Sequence, residues 1–315
     1  MYSILASFLC LCLLFPLEGC ASVPHTAGGE VSSSCKVEDT NVSQPQVPPA
    51  EAVSEPEPVY VPVPPVENLV ECYSKERTHT VTVLMYHHLV DTEEQVRDNS
   101  MIVTAQRFGQ DLDWLEENGY VTVLPRELAA GEPLPDKAVM ITLDDGYASN
   151  YQLAFPLLKE RGMKASIALI CRLMDEEAKG YLTWDMCREM SMSGLIEFGS
   201  HTYYLHNLQD GGDGGYRKEG PNGIQRRAGE CREDYEARVL TDLAKSLSCM
   251  EEELGNQVLF LAYPYGVKDS WASPYIAEHF AMTLLTCEGK ADLTCGFYSL
   301  PRKTVSMERP VCDCF

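Results

Sequence analysis

One stretch of the 315-residue sequence reads Ala138-Val139-Met140-Ile141-Thr142-Leu143-Asp144-Asp145-Gly146. Its first six residues are almost wholly apolar, which is typical of a strand covered on both faces, as strands in parallel sheets are. The stretch then changes abruptly to two carboxylates and a glycine, a composition that favours a turn. We therefore predict a buried parallel strand with an acidic turn at its carboxyl end.

Short apolar runs alternate with longer amphipathic segments on both sides of this strand. In the segment that stops at Gly119, Phe108, Leu112 and Leu115 recur with helical spacing, and Thr183 is an expected N-cap. Further strands are predicted at 80–86, 121–124, 165–170, 196–199, 258–262 and 281–286, and further helices at 154–160, 183–194, 233–254 and 271–280. This alternation indicates an α/β protein with a parallel sheet, either a barrel or a doubly wound sheet.

The composition excludes some classes of protein and partner. Hydrophobic residues make up 45% of the chain, which is enough for a core and excludes wholesale disorder. The formal net charge is -22, from 25 Lys+Arg against 47 Asp+Glu. This charge argues against nucleic acid as a partner and against docking of the folded part on an anionic membrane surface, because both need clustered basic residues.

The composition also divides the chain into three parts. Residues 1–19 contain an apolar core at 4–15 that is too short for a transmembrane helix and typical of a signal peptide. Leu17-Glu18-Gly19-Cys20 resembles a bacterial lipobox, although an ordinary cleaved signal with an incidental Cys is the alternative. Residues 20–77 hold nine of the 19 prolines and nine acids against three bases, which predicts a disordered acidic tether. Residues 78–315 are then a single folded domain.

Polar residues follow the predicted strands just where each strand ends. They are His87, Asp144, Asp145, His201 and Tyr265. The carboxyl ends of parallel strands meet on one face, so we expect these side chains to converge. His206 lies five residues after His201, a spacing that converges on a loop and not on a helix. Two His and one Asp form a sensible ligand set for a catalytic divalent metal that keeps a position open.

Three motifs in this order resemble the polysaccharide deacetylases with the NodB-homology domain, carbohydrate esterase family 4. The first is Thr142-Leu143-Asp144-Asp145-Gly146, beside the family's Thr-Phe-Asp-Asp-Gly. The second runs from His201-Thr202 to His206, one residue longer than the commonest spacing and similar to the poly-N-acetylglucosamine deacetylase branch. The third is Ala262-Tyr263-Pro264-Tyr265-Gly266. The resemblance covers most of 78–315 and implies a distorted (β/α) barrel of parallel strands.

The resemblance also implies a role for each matching residue. Asp144 matches the general base, and Asp145, His201 and His206 match the ligands of a divalent metal, usually zinc. The backbone N–H of Tyr265 matches a donor to the oxyanion.

Two departures from the family pattern affect the catalytic residues. Ala262 stands where the third motif usually has an Arg that orients the base, and we predict that Arg302, in Leu300-Pro301-Arg302, takes that place. The usual late motif with a general-acid His is absent, and His87 or His88 could donate the proton instead; the alternative is that they line the pocket.

These features predict an exported, lipid-anchored, extracellular bacterial enzyme that removes N-acetyl groups from N-acetylglucosamine-containing polysaccharide. A catalytically degenerate barrel that binds glycan is the alternative from another class, motivated by the missing Arg and His. A glycoside hydrolase would need paired carboxylates at glycosidic distance rather than a His-His-Asp set.

Overall fold

A computed structural model describes residues 66–96, 101–206, 209–210, 216–217 and 223–315, all within the unit Pro56–Phe315. The predicted signal peptide, most of the predicted tether and part of the glycine-rich segment at 207–232 lie outside the described residues. Within the described part, no helix combines the length and the apolar character that a membrane crossing requires.

The secondary structure alternates between strands and helices along the chain. The strands are β1 Thr80–Tyr86, β2 His88–Val90, β3 Ile102–Thr104, β4 Val121–Thr122, β5 Ala138–Leu143, β6 Ala165–Leu169, β7 Ile196–Ser200, β8 Gln209–Asp210, β9 Tyr216–Arg217, β10 Phe260–Ala262, β11 Met282–Leu284, β12 Ala291–Asp292 and β13 Lys303–Thr304. The helices are α1 Val66–Ser74, α2 Ala105–Glu117, α3 Pro125–Ala129, α4 Phe155–Arg161, α5 Cys171–Asp175, α6 Trp184–Met192, α7 Arg232–Leu254 and α8 Ser273–His279.

The main sheet consists of parallel strands in the order β11-β10-β7-β6-β5-β1. The segment 300–304 connects its two sides. Leu300 forms a parallel bridge with Leu284 of β11, and β13 pairs in parallel with β1, where Lys303 is opposite Leu84. The sheet therefore curls into a distorted barrel of parallel strands, which confirms the predicted fold class and excludes the doubly wound alternative.

Side chains along β5 alternate between the inside of the barrel and the helices outside it. Ala138 and Met140 belong to an inner apolar cluster, whereas Val139 and Ile141 pack with the helices. Because the period of a strand is two residues, the inner row of β5 continues towards Asp144. The strand pattern alone thus carries this carboxylate to the inner rim of the barrel.

The same alternation governs β7. Ile196 packs with the outer cluster, which leaves Glu197, Gly199 and His201 on the inner row. A Cβ atom on Gly199 would lie 2.4 Å from the ring of Phe260. The glycine therefore lets a large ring fill the barrel just below the row's last member, His201.

Helix α1 packs against the inner cluster near the amino ends of the strands. Its residues Leu69 and Tyr73, four apart on one helical face, are buried there, and the Tyr73 hydroxyl donates to the carbonyl oxygen of Glu132 at 2.9 Å. This finding corrects the predicted boundary: residues 66–74 were assigned to the disordered tether, yet they belong to the folded domain. The prolines just before Val66 obscured the short amphipathic pattern.

The predicted elements are present with small shifts at their ends. Thr183 caps α6 as expected, since its hydroxyl accepts the N–H of Met186 at 3.3 Å. Strand β10 is shorter than predicted, and its ladder to β7 contains one pair, Leu261 with Ser200. The closing strand β13 was not predicted as a strand, because two residues show no periodicity.

Glu197 supports a prediction about stability and pH. Burial raises its pKa from 4.5 to about 7, against the opposing effect of a 3.0 Å hydrogen bond that its Oε2 accepts from the N–H of Arg126. The folded protein thus retains a proton that the unfolded chain loses near pH 4.5. The contribution of this proton to the free energy of unfolding is complete below pH 4.5 and is lost as pH rises through about 7.

We therefore expect Glu197→Gln to raise the free energy of unfolding by up to about 3 kcal/mol at pH 8 and to leave it nearly unchanged at pH 4. Urea unfolding at the two pH values measures both. Glu117→Gln, at an exposed site on α2, is the matched control and should change stability by less than about 0.5 kcal/mol. An equal gain at both pH values would contradict the prediction.

Candidate active site

The turn after β5 directs two adjacent carboxylates to one place. Asp144 lies on the inner row, and a continued extended backbone would send Asp145 to the outer face. Asp145 instead has a φ of 76°, in the left-handed region, and Gly146 follows with a φ of 74°. A Cβ atom on Gly146 would lie 2.9 Å from Cδ2 of Leu169. The turn therefore requires its glycine, and it brings both carboxylates to the barrel rim.

Asp145 lies between two imidazoles. Its Oδ1 is 3.4 Å from Nε2 of His201, which follows β7, and 3.2 Å from Nε2 of His206 on the loop beyond. The three potential ligand atoms all lie within 4.8 Å of one another. Tetrahedral zinc with bonds of about 2.0–2.1 Å separates its ligand atoms by roughly 3.3 Å. Both distances from Asp145 are close to this separation, so the structure brings the three predicted ligands together around one point.

The protonation and hydrogen bonding of these groups also suit a cation. Asp145 Oδ1 is buried and accepts no hydrogen bond from the described residues. His201 Nδ1 donates to the carbonyl of Ala262 at 2.7 Å, so the neutral form of this imidazole has its lone pair on Nε2. Burial, with His201 nearby, lowers the pKa of His206 to about 4, so this imidazole is neutral at pH 7. A buried anionic oxygen and two imidazole nitrogens fit a divalent transition-metal ion.

Asp144 is held by Arg302. The guanidinium donates from Nη1 to Oδ1 at 2.8 Å and from Nη2 to Oδ2 at 2.7 Å. Its Nε donates to the carbonyl of Leu285 at 2.7 Å, and Nη1 also contacts Thr142 Oγ1 at 3.1 Å. Arg302 is 0% exposed and Asp144 is 1% exposed. The contact predicted from Leu300-Pro301-Arg302 is therefore present, with Arg302 contributed by the segment that closes the barrel.

This pair determines the ionisation of Asp144. Burial alone would raise its pKa, but the Arg302 guanidinium, His201 and His87 all lower it and together outweigh burial. The pKa of Asp144 is consequently held well below its usual value. The carboxylate is ionised at neutral pH and its oxygens are fixed in one orientation.

His87 is directed at the same carboxylate. Its Nε2 is 4.0 Å from Asp144 Oδ2, beyond hydrogen-bonding distance, and its carbonyl accepts a 2.9 Å hydrogen bond from Asn150. Burial lowers the pKa of His87, while the charge of Asp144 raises it. His88 instead contacts Ser149 Oγ through Nδ1 at 2.9 Å. Of the two candidate histidines, His87 is thus the one beside Asp144.

Tyr265 lies on the turn after β10. Its φ is 57°, and its ring stacks on His206 with the centroids 5.2 Å apart. A Cβ atom on the next residue, Gly266, would lie 2.3 Å from Thr286 Oγ1 and 2.6 Å from the Thr286 backbone nitrogen. This glycine therefore permits the tight turn that brings Tyr265 beside the histidines.

Aromatic rings that were not predicted from the sequence lie near the site. The Tyr147 ring stacks on Tyr181 with centroids 5.1 Å apart, and it also meets His88 at 4.7 Å. Burial first, and then the charge of Asp145, raises the pKa of Tyr147. The position of Tyr147 directly after Asp-Asp-Gly was the available signal in the sequence.

Comparisons with known proteins agree on one family. A family model described as polysaccharide deacetylase matches residues 131–282. YxkH of Bacillus subtilis (strain 168), whose name places it among the polysaccharide deacetylases, is 29% identical over 280 residues, which cover 87% of this chain and 88% of that protein. The poly-beta-1,6-N-acetyl-D-glucosamine N-deacetylase of Staphylococcus aureus is 26% identical over 212 residues, which cover 65% of this chain and 63% of that protein.

A solved structure adds a match in three dimensions. The BpsB deacetylase domain from Bordetella bronchiseptica superposes with a TM-score of 0.59 and 26% identity, over 72% of this chain and 96% of that domain. The chain therefore matches the polysaccharide deacetylase family over residues 131–282, as its motifs predicted.

Proposed function

We propose that this protein is a metal-dependent N-deacetylase that acts on polysaccharide containing N-acetylglucosamine. The observation that carries the proposal is the ligand set Asp145, His201 and His206 directly beside the buried Asp144–Arg302 pair. A cation site next to an ionised, oriented carboxylate that lies outside the ligand set suits hydrolysis of an amide.

The reaction adds water to the acetyl carbonyl, breaks the C–N bond and yields acetate and a free amine. Asp145, His201 and His206 would hold a divalent metal, for which we propose zinc; when bound, it would polarise the carbonyl and lower the pKa of a water molecule toward ~7. Asp144 takes the proton of the attacking water, with its oxygens held by Arg302. The backbone N–H of Tyr265 donates to the oxyanion. His87, whose Nε2 is 4.0 Å from Asp144 Oδ2, relays the proton taken by Asp144 to the departing amine.

The substrate class is supported by the relatives. The Staphylococcus aureus protein is named for deacetylating poly-beta-1,6-N-acetyl-D-glucosamine, and it is similar to this chain over 212 residues. Peptidoglycan and chitin oligomers carry the same N-acetyl group, and we propose the class that the three glycans share. We further propose that the enzyme is exported and anchored by lipid at Cys20, which suits a polymer outside the cell; that segment lies outside the described residues.

Acetate release from the three glycans, with and without a chelator, tests this proposal. We expect release from at least one glycan, loss of release in the chelator, and recovery with added Zn²⁺. Asp145→Asn should weaken Zn²⁺ binding and slow release, because it removes the anionic ligand. Asp292→Asn, in β12, is the control and should change neither Zn²⁺ binding nor the rate of acetate release.

Two outcomes would contradict the proposal. If Zn²⁺-loaded protein binds the glycans and releases no acetate from any of them, the glycan-binding alternative would replace it. An Asp145→Asn variant with unchanged Zn²⁺ affinity and rate would overturn the metal site.

A further inference from the structure

The loop that carries His206 is hydrogen-bonded to the carboxylate of Asp242 on helix α7. Asp242 of α7 accepts two hydrogen bonds from consecutive backbone amides, from the N–H of Tyr203 to Oδ1 at 2.9 Å and from the N–H of Tyr204 to Oδ2 at 2.8 Å. These amides lie between the two histidines of the proposed metal site. Consecutive N–H groups that point to one side of a loop form a concave site for an anion.

The backbone of this loop is strained at its first residue. Thr202 is buried and has a φ of 73°, which costs energy for a β-branched residue. Such a conformation persists when its surroundings enforce it. The N–H of Thr202 donates to Ser200 Oγ at 3.0 Å, and its carbonyl accepts from Cys171 N at 3.3 Å.

Helix α7 contacts both ends of the strained segment. Ser246 Oγ lies 2.7 Å from Ser200 Oγ, the same hydroxyl that accepts the N–H of Thr202. Asp242 and Ser246 are four residues apart and so share one face of α7. One helical face therefore holds the loop through a hydroxyl at Ser200 and through a carboxylate at Tyr203 and Tyr204.

We propose that Asp242 is a positioning residue, which fixes the loop 202–206 so that His206 Nε2 is held beside Asp145 before any metal arrives. The inference rests on the proposed metal site of the proposed function. His206 is the proposed ligand that follows no strand, and its distance of 3.2 Å from Asp145 depends on the loop. Removal of outer partners that orient metal ligands typically weakens metal binding 10–100-fold.

Two variants of the full chain test this role. Asp242→Ala removes both acceptors, and Asp242→Asn keeps one and turns an NH₂ group toward the other amide. We expect the Tyr203 and Tyr204 amides of the metal-free protein to exchange hydrogen at least tenfold faster in Asp242→Ala. Zn²⁺ affinity from chelator competition should fall about 10-fold in Asp242→Asn and up to about 100-fold in Asp242→Ala.

Asp292→Asn is the matched control. Its carboxylate also accepts a loop amide, that of Thr294 at 3.0 Å, and both measurements should stay within twofold of the wild type. If Asp242→Asn is folded and binds Zn²⁺ as tightly as the wild type, or if the exchange of the two amides is unchanged, the positioning role is wrong. An equal loss of Zn²⁺ affinity in Asp292→Asn would also overturn it.

These results separate the present inference from the proposed function. If the wild type binds Zn²⁺ and releases no acetate, the proposed activity is wrong. Weaker Zn²⁺ binding in the Asp242 variants would then still support the positioning role. Conversely, the wild type could release acetate while Asp242→Ala binds Zn²⁺ with wild-type affinity. In that case the positioning role of Asp242 is wrong and the proposed activity stands.

Discussion

Asp144→Asn is expected to lower kcat for acetate release by roughly 10²–10⁴-fold. The amide cannot take the proton of the attacking water, and it offers the Arg302 guanidinium one oxygen where the carboxylate offers two. Because Asp144 is 1% exposed, breaking this pair should also reduce the free energy of unfolding by about 3–5 kcal/mol. Zn²⁺ affinity should change little, since Asp144 lies outside the ligand set. Acetate release, urea unfolding and chelator competition measure the three effects.

The control for this variant is a second buried aspartate outside the site. Asp111 is 2% exposed and accepts hydrogen bonds from the Tyr86 hydroxyl and from Val311 N, at 3.1 and 3.0 Å. Asp111→Asn should destabilise the fold without the large loss of kcat. If Asp144→Asn retains wild-type kcat while folded, Asp144 is not the base.

Arg302→Ala should produce the second large effect, on both stability and pH dependence. It leaves Asp144 buried without its cation, which should cost about 3–5 kcal/mol of unfolding free energy. The guanidinium holds the pKa of Asp144 below its usual value, so the base of the wild type is lost only as pH falls through that low pKa. Without Arg302, burial raises this pKa, and kcat/KM should begin to fall at a pH at least one unit higher.

The pH profile of kcat/KM and urea unfolding measure this second prediction. Arg302→Lys keeps the charge but not the paired hydrogen bonds, so it should lie between the wild type and Arg302→Ala. Unchanged turnover in Arg302→Ala, with an unchanged acidic limb, would dismiss the orienting role.

The parts of the fold that could be predicted are those with a strong period. The apolar run of β5 and its Asp-Asp-Gly turn indicated a buried strand with a site at its end, and both are present. The three residues of the proposed metal site were also named by the motif order, and the structure brings them together. Periodicity thus indicated the parallel sheet and the carboxylates at a strand end, and the family resemblance indicated the barrel.

Other features depend on contacts that no local pattern reveals. Asp144 and Arg302 are 158 residues apart, and the two-residue strand β13 near Arg302 shows no alternation. The resemblance to a family, and not the periodicity, suggested this pair. Asp242 was missed because a lone acid on an amphipathic helix is indistinguishable from a solvated one until the loop beneath it is seen. Helix α1 was missed because its proline-rich flank dominates the composition.

The closing segment 300–304 links the formation of the barrel to the formation of the catalytic pair. Until Leu300 bridges β11 and β13 pairs with β1, Arg302 cannot reach the carboxylate that β5 presents. Contacts of such long sequence separation are costly to form and come late in folding. Before this closure, a chain that already held Asp145, His201 and His206 together would therefore still lack an oriented Asp144. The oriented carboxylate of Asp144 is thus a product of the last closing contacts of the barrel and not of the β5 turn alone.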